Sequence, residues 1–163
     1  MKNARKTYMK IYTDGAAKGN PGKAGWGAIF MIMDKIFEIG GGVGYATNNQ
    51  MELTAPIEAL KYLKLNMSNM SKMPFDSMEI VSDSKYVILG ITEWIFNWQK
   101  NNWRNAGNKP ILNRKLWEEL YKLTQDFKIK WTYVKGHNGD KYNERADEIA
   151  TSFTEGVPVK LKK

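Results

Sequence analysis

The 163-residue sequence predicts an α/β fold, a mixed sheet with helices packed on it. Three strand-like apolar runs come first, helical and strand patterns then alternate, and a clear period-two segment returns late in the chain.

Tyr8 to Thr13 reads as the first strand, and the glycines from Gly15 to Gly25 as a wide loop after it. Trp26 to Met33 and Ile36 to Ile39 make the second and third strands, with Asp34-Lys35 as their turn. Gly40, Gly41, Gly42 and Gly44 then loosen the chain before Thr47, Asn48 and Asn49, which suit a helix start. Met51 to Leu65 reads as that helix. Pro56 inside it lacks the N–H that would bond the Glu52 carbonyl, so a kink or a late start is expected. Met78 to Ser82 is a short strand with Asp83 at its end. Ser84 to Leu89 follows as a helix before Gly90, and Thr92 is placed to cap another, carrying Trp94, Ile95 and Trp98. In Asn113 to Asp126, Leu116, Leu120 and Leu123 keep helical spacing. Phe127 to Val134 alternates, with Ile129, Trp131 and Tyr133 against Lys128, Lys130 and Thr132. A loop from Gly136 to Asp140 leads to a last helix holding Asp147 and Ala150, and the basic tail Lys160 to Lys163 is expected to fray.

Hydrophobic residues at 42% and aromatics at 12% exclude a disordered or fibrous chain. No apolar run has transmembrane length, and no apolar segment follows the basic N-terminal residues, so neither a membrane span nor a secretory signal is expected. With no cysteine there is neither a disulfide framework nor a thiolate metal site, which fits a cytoplasmic setting. A net charge of +8 points to a polyanionic partner. Internal repeats and low-complexity segments are absent. The whole chain, 1–163, is expected to form one domain, with its core at about 7–153 and a flexible tail at 154–163.

Four acids occupy positions awkward for acids. Asp14 ends an apolar strand, and Asp83 ends another and opens a helix. Glu52 shares a helix side with Ala55, Ala59 and Leu63, and Asp147 shares one with Ala150. Taken singly, each has an ordinary explanation as a turn former, a cap or a solvated helix residue. If they converge, their repulsion calls for a hard divalent cation with oxygen ligands. Two such ions about 4 Å apart would activate water on one side of a phosphate and stabilise the leaving oxygen on the other.

Five segments occur in order: Tyr12-Thr13-Asp14-Gly15, Asn48-Asn49-Gln50-Met51-Glu52-Leu53, Ser82-Asp83-Ser84-Lys85-Tyr86-Val87, Lys135-Gly136-His137 and Asn143-Glu144-Arg145-Ala146-Asp147. In content and spacing the chain resembles type 1 ribonuclease H, the bacterial single-domain form, from about Thr7 to Ala150. The resemblance implies the ribonuclease H-like fold, a five-stranded mixed sheet of three antiparallel then parallel strands with helices on both faces. It implies a monomer that hydrolyses the RNA strand of RNA–DNA hybrids with Mg²⁺, or Mn²⁺ in its place, leaving 5′-phosphate and 3′-hydroxyl ends. Asp14, Glu52, Asp83 and Asp147 match the family's metal-binding catalytic carboxylates. His137 matches a mobile-loop histidine that helps move protons or release product, an auxiliary role.

Substrate contacts are expected in two regions. Trp94, Trp98 and Trp103 interleave with Lys100, Arg104 and Lys109, a pattern suited to stacking and phosphate contact, although packing of a helical hairpin also uses tryptophan. The stretch resembles the family's basic protrusion that grips the DNA strand, diluted here by Gln99, Asn101 and Asn102. By the same resemblance Asn20, Asn48 and Asn49 lie near the minor groove, where amides can sense the 2′-hydroxyls that distinguish RNA. Thr47 and Asn113 match positions that hold a DNA phosphate. Two departures stand out: Gly44-Tyr45-Ala46-Thr47 lacks an expected arginine, and Lys85, beside Asp83, replaces a common amide.

A nucleotide-binding rival fails because Ala17 and Ala24 break the Walker A pattern around Gly22-Lys23. A non-catalytic hybrid-binding module has no need of four acids. Another nuclease of the same superfamily remains an alternative, since fold alone does not set the substrate.

Overall fold

The computed structural model describes residues 7–67 and 75–163; the basic residues at 1–6 lie outside these. Five strands, β1 (Thr7–Lys18), β2 (Gly22–Ile32), β3 (Lys35–Ala46), β4 (Phe75–Ser82) and β5 (Ile129–Tyr133), form one sheet in the order β3-β2-β1-β4-β5. The β3/β2/β1 pairs are antiparallel and the β1/β4 and β4/β5 pairs parallel, as expected.

The first three strands are longer than their apolar runs. The glycines expected to form loops, Gly15 to Gly25 and Gly40 to Gly44, lie mostly within β1, β2 and β3. The reason is close approach of a helix. A Cβ on Gly40 would meet Ile149 Cγ2 at 2.7 Å, and one on Gly25 would collide with the Ala150 carbonyl. The hairpin turn is Met33-Asp34, one residue earlier than expected, because Ile32 pairs with Lys35 and Met33 takes the left-handed conformation, φ +55°.

Helix α1 (Asn48–Met67) begins before the proline and runs through it. Thr47 caps it: Gln50 N–H donates to Thr47 Oγ1 at 3.1 Å, and Thr47 N–H donates to Gln50 Oε1 at 2.9 Å. This reciprocal pair is a capping box. The late start expected from Pro56 is therefore not found.

The two short helices expected around Gly90 are one continuous stretch, α2 (Lys85–Leu89), a π-helical turn (Gly90–Trp94) and α3 (Ile95–Lys100). Gly90 keeps right-handed helical angles and ends nothing. It is glycine because the buried Trp117 ring of α4 (Arg114–Thr124) occupies the space of its Cβ. Thr92 does not cap; its hydroxyl donates back to the Ile88 carbonyl at 2.6 Å.

Helices α1 to α4 cover one sheet face through a core of Met9, Ile11, Phe30, Leu53, Leu60 and Trp117 among others. Helix α5 (Lys141–Thr154) covers the other with Ala146 and Ile149 against Tyr12, Ile29 and Val81. The tail expected to fray is tied down. Glu38 N–H donates to the Lys162 carbonyl and Lys162 N–H to Glu38 Oε1, both at 2.8 Å, while Val159 and Leu161 pack beneath α5. Among the described residues no helix is long and apolar enough to cross a membrane.

Gly90→Ala should force Trp117 out of its seat and destabilise the protein by about 1–3 kcal/mol, a fall in Tm of roughly 3–9 °C. Thermal melts followed by circular dichroism check this, and an unchanged Tm would remove Trp117 as the reason for the glycine.

Candidate active site

Because β1 and β4 run parallel, with Thr13 beside Ser82, Asp14 and Asp83 emerge together at the carboxyl end of the sheet. That end, where strand order reverses direction, is the usual site location in open α/β sheets. Glu52 arrives from the second turn of α1. A side chain on Gly15 would collide with the α1 backbone at Met51 and Glu52, so glycine there lets the helix close on the strand.

Carboxylate oxygens of Asp14, Glu52 and Asp83 lie within 4.8 Å of one another. Asp14 is only 3% exposed and accepts the Gly15 N–H at 2.9 Å. Burial is the main force driving its pKa up, from an ordinary 3.8 to about 8, reinforced by the charges of Asp83 and Asp147. Glu52 is also pushed well above the carboxylate range, by burial first and then by Asp14, with which it shares a hydrogen bond that favours the proton on Glu52. Its Oε2 is buried without a hydrogen-bond partner. A buried, unpartnered carboxylate oxygen facing two further carboxylates fits a divalent cation of the Mg²⁺ or Mn²⁺ kind, which takes oxygen ligands.

Asp147 stands outside this close group but near enough for its charge to act on Asp14. Its helix is anchored two residues earlier. Arg145 Nε and Nη2 reach Glu38 Oε2 and Oε1 at 2.7 and 3.0 Å, a bidentate pair on a buried carboxylate, and Nη2 also donates to the Lys160 carbonyl at 2.9 Å. At its start, Asp140 caps α5 through the N–H groups of Tyr142 and Asn143, each at 3.0 Å. His137 is exposed in the preceding loop with φ +55°. Its neighbour Gly136 lies against Asp83, where a Cβ would meet Oδ2 at 2.8 Å.

The sequence-predicted substrate residues divide. Asn20 Oδ1 accepts the Asn48 N–H at 2.9 Å, which ties the β1–β2 turn to the start of α1, and Asn48 and Asn49 are exposed beside it. Asn113 accepts from Gln50 Nε2 at 3.3 Å and donates to Tyr86 Oη at 3.1 Å, which also accepts from Trp117 Nε1 at 3.0 Å. Lys85 is exposed with its Nζ 5.5 Å from the Tyr133 ring centroid. Trp98 and Trp103 pack against the core beside Trp117, while Trp94 is 37% exposed and Lys100 is exposed at the end of α3. Sequence reasoning overlooked Gln50, Tyr86 and the Glu38–Arg145 pair. The spacing of Thr47 and Gln50 is a legible cap signal; the other contacts join residues far apart in the chain.

The chain is similar in sequence and in fold to known proteins. The family model described as RNase H matches residues 6–155. A ribonuclease H of Thermosynechococcus vestitus is 44% identical over 153 residues, 93% of this chain and 92% of that protein. Ribonuclease HI of Pseudomonas aeruginosa is 41% identical over 153 residues, 94% and 97% of the two chains. The crystal structure of LC9-RNase H1, described as a type 1 RNase H with the type 2 active-site motif, superposes with a TM-score of 0.78 over 93% of this chain and 74% of that one. At 24% identity that likeness concerns the fold.

The raised pKa of Asp14 and Glu52 has a consequence for stability without metal. Folded carboxyls retain protons that the unfolded chain releases above about pH 4, so this stability is complete below that value and is lost as pH rises toward 8. In EDTA, Tm should fall between pH 5 and pH 8. Asp14→Asn should flatten the fall and melt higher than the native protein at pH 8. A native Tm that rises across this range would contradict the burial argument.

Proposed function

The chain belongs to the type 1 ribonuclease H family, and from that premise we propose that it hydrolyses the RNA strand of RNA–DNA hybrids with divalent ions held by Asp14, Glu52, Asp83 and Asp147. The reading takes residues 1–163 as one ribonuclease H domain. The observation that carries it is the approach of three carboxylates within 4.8 Å, one with a buried oxygen lacking any partner. Mg²⁺ is the proposed physiological ion, with Mn²⁺ able to replace it.

Two ions bound there would supply positive charge to the attacking water and to the leaving oxygen of an in-line displacement. Water adds to phosphorus, the P–O3′ bond breaks, and the 3′ oxygen takes up a proton, leaving 5′-phosphate and 3′-hydroxyl ends. Asp14, buried on β1, and Glu52, half-buried with its Oε2 enclosed where α1 closes on β1, form the rigid side of the site. Asp83 and Asp147, both half-buried, complete the set from β4 and α5. His137, exposed on the loop whose Gly136 abuts Asp83, would carry protons between solvent and the reacting groups.

The hybrid is held on both sides of the acids. Asn20, Asn48 and Asn49 present amides to the minor groove, where a 2′-hydroxyl can both donate and accept. Thr47 and Asn113, which are linked through Gln50, would hold a DNA phosphate. Lys85 contributes a cation next to the scissile strand. On the far side Trp94 offers exposed ring surface and Lys100 a charge, whereas Trp98 and Trp103 act by supporting Trp94.

Incubation with end-labelled RNA–DNA hybrid, RNA duplex, DNA duplex and single-stranded RNA tests the proposal. Cutting is expected only in the RNA of the hybrid, only with Mg²⁺ or Mn²⁺, and reduced by roughly 100-fold or more in Asp83→Asn. Binding of hybrid without cutting under either metal would leave a binding module instead.

A further inference from the structure

The end of the sheet carrying the β1–β2 turn holds a group of exposed side chains that the proposed reaction does not use. Lys18 and Lys23 are direct partners across the β1–β2 hairpin, so they share one face of the sheet. Both are exposed, and neither takes part in an ion pair among the described residues. From Gly15 to Met33, and again from Gly40 to Met51, the chain contains no acidic residue, so no nearby carboxylate on these strands offsets the two charges.

The third member is Tyr45, 73% exposed near the end of β3. Ala24 pairs with Val43 but Gly22 pairs with Ala46, so β3 carries one extra residue opposite Lys23, a β-bulge. The extra residue turns Ala46 inward, where it packs with Ala24 and Met51 on the α1 side. Tyr45 is thereby sent to the opposite side, that of Lys23. Bulges near active sites commonly re-aim a side chain in this way. The frame beneath is rigid: Asn20 at the turn accepts the Asn48 N–H at 2.9 Å, and Thr47 closes the capping box with Gln50.

We propose that Lys18, Lys23 and Tyr45 form a second grip on the sugar–phosphate backbone of the hybrid, separate from that of Trp94. The proposal rests on the reading of this chain as a hybrid-cutting enzyme. Lys18 lies four residues beyond Asp14 on β1, about 13 Å along the strand, so the duplex that presents a phosphate to the acids also passes the turn. A duplex keeps its base planes stacked inside and offers phosphates and sugar faces outside. The two ammonium groups suit the first, and a flat ring on a fixed bulge suits the second. An isolated pair of turn lysines would be ordinary surface charge. The bulge that brings an aromatic ring to the same side, and the hydrogen bonds that fix the turn to α1, separate this patch from that case.

The test compares the native protein with Lys18→Ala/Lys23→Ala, Tyr45→Ala and Tyr45→Phe on a hybrid of about 20 base pairs, across roughly 50–300 mM salt. The double lysine variant should raise KM about tenfold at low salt with kcat unchanged. Its log KM should depend on log salt less steeply, by about 1–2 in slope, since each phosphate contact contributes a little under one. Tyr45→Ala should raise KM several-fold without altering the salt slope, and Tyr45→Phe should match the native protein, because the ring and not the hydroxyl makes the contact. Native activity with KM and slope unchanged in the double variant and Tyr45→Ala would overturn the grip while leaving the enzymatic reading intact. Hybrid binding in EDTA, followed by fluorescence anisotropy, gives the same slopes without turnover. A native chain that binds but never cuts would sink the enzymatic reading, and the lysine slope would still decide the grip. No binding at all would overturn both.

Discussion

Carboxyl groups crowded together in a poorly hydrated corner repel one another, and the structure is arranged to hold that repulsion in place. Asp14 is buried, Glu52 has one oxygen without a partner, and Asp83 lies within 4.8 Å of both. A free chain would separate such groups or keep them solvated. Here the glycine at 15 lets α1 close on β1, the parallel pairing of β1 with β4 delivers Asp83, and proton sharing between Asp14 and Glu52 lowers the charge when no cation is present. The cost of assembling the site is carried by backbone packing some distance from the acids.

Two supports outside the site show how that packing is secured. On one face, Glu38, Arg145 and the chain around Lys160 to Lys162 form a half-buried ionic knot that clamps α5 against the edge of the sheet. A buried carboxylate is tolerable there because a bidentate guanidinium and a backbone N–H satisfy it; Arg145 holds the Glu38 carboxyl below its ordinary range despite its burial. On the other face, Tyr86 Oη accepts from Asn113 and Trp117, and Asn113 in turn accepts from Gln50 of the α1 cap. One phenol thus joins α1, α2 and α4 just behind Asp83. Both supports immobilise the elements that carry acids, which suits a site that needs its charges pre-positioned.

The aromatic residues on and around α3 illustrate a division of labour. Trp94, Trp98, Trp103 and Trp117 form a contiguous run of ring contacts with Tyr86. Only its outer end is open, so the exposed ring of Trp94 rests on a packed base. Near the end of β3 the bulge exposes Tyr45 by a backbone device instead. The basic surplus of the chain is distributed over both regions and not concentrated in α3.

Much of this was legible in the sequence. The order of elements followed from apolar periodicity, and the four acids were marked by their positions at strand ends and on inward helix sides, because both signals are local. The five ordered segments then narrowed the family. What the sequence left undecided depended on contacts between distant residues. Glycines at 25 and 40 read as loop, yet they are strand, and they lack side chains where α5 presses on the sheet. Gly90 read as a helix end, yet it is helix interior because Trp117 needs its space. A basic tail read as frayed, yet Glu38 and Arg145 bind its backbone. Which tryptophans are core, which acid keeps the proton and where Tyr45 points are likewise tertiary outcomes. Spacing along the chain determines which residues can share a face; only the approach of another element determines what that face must accommodate.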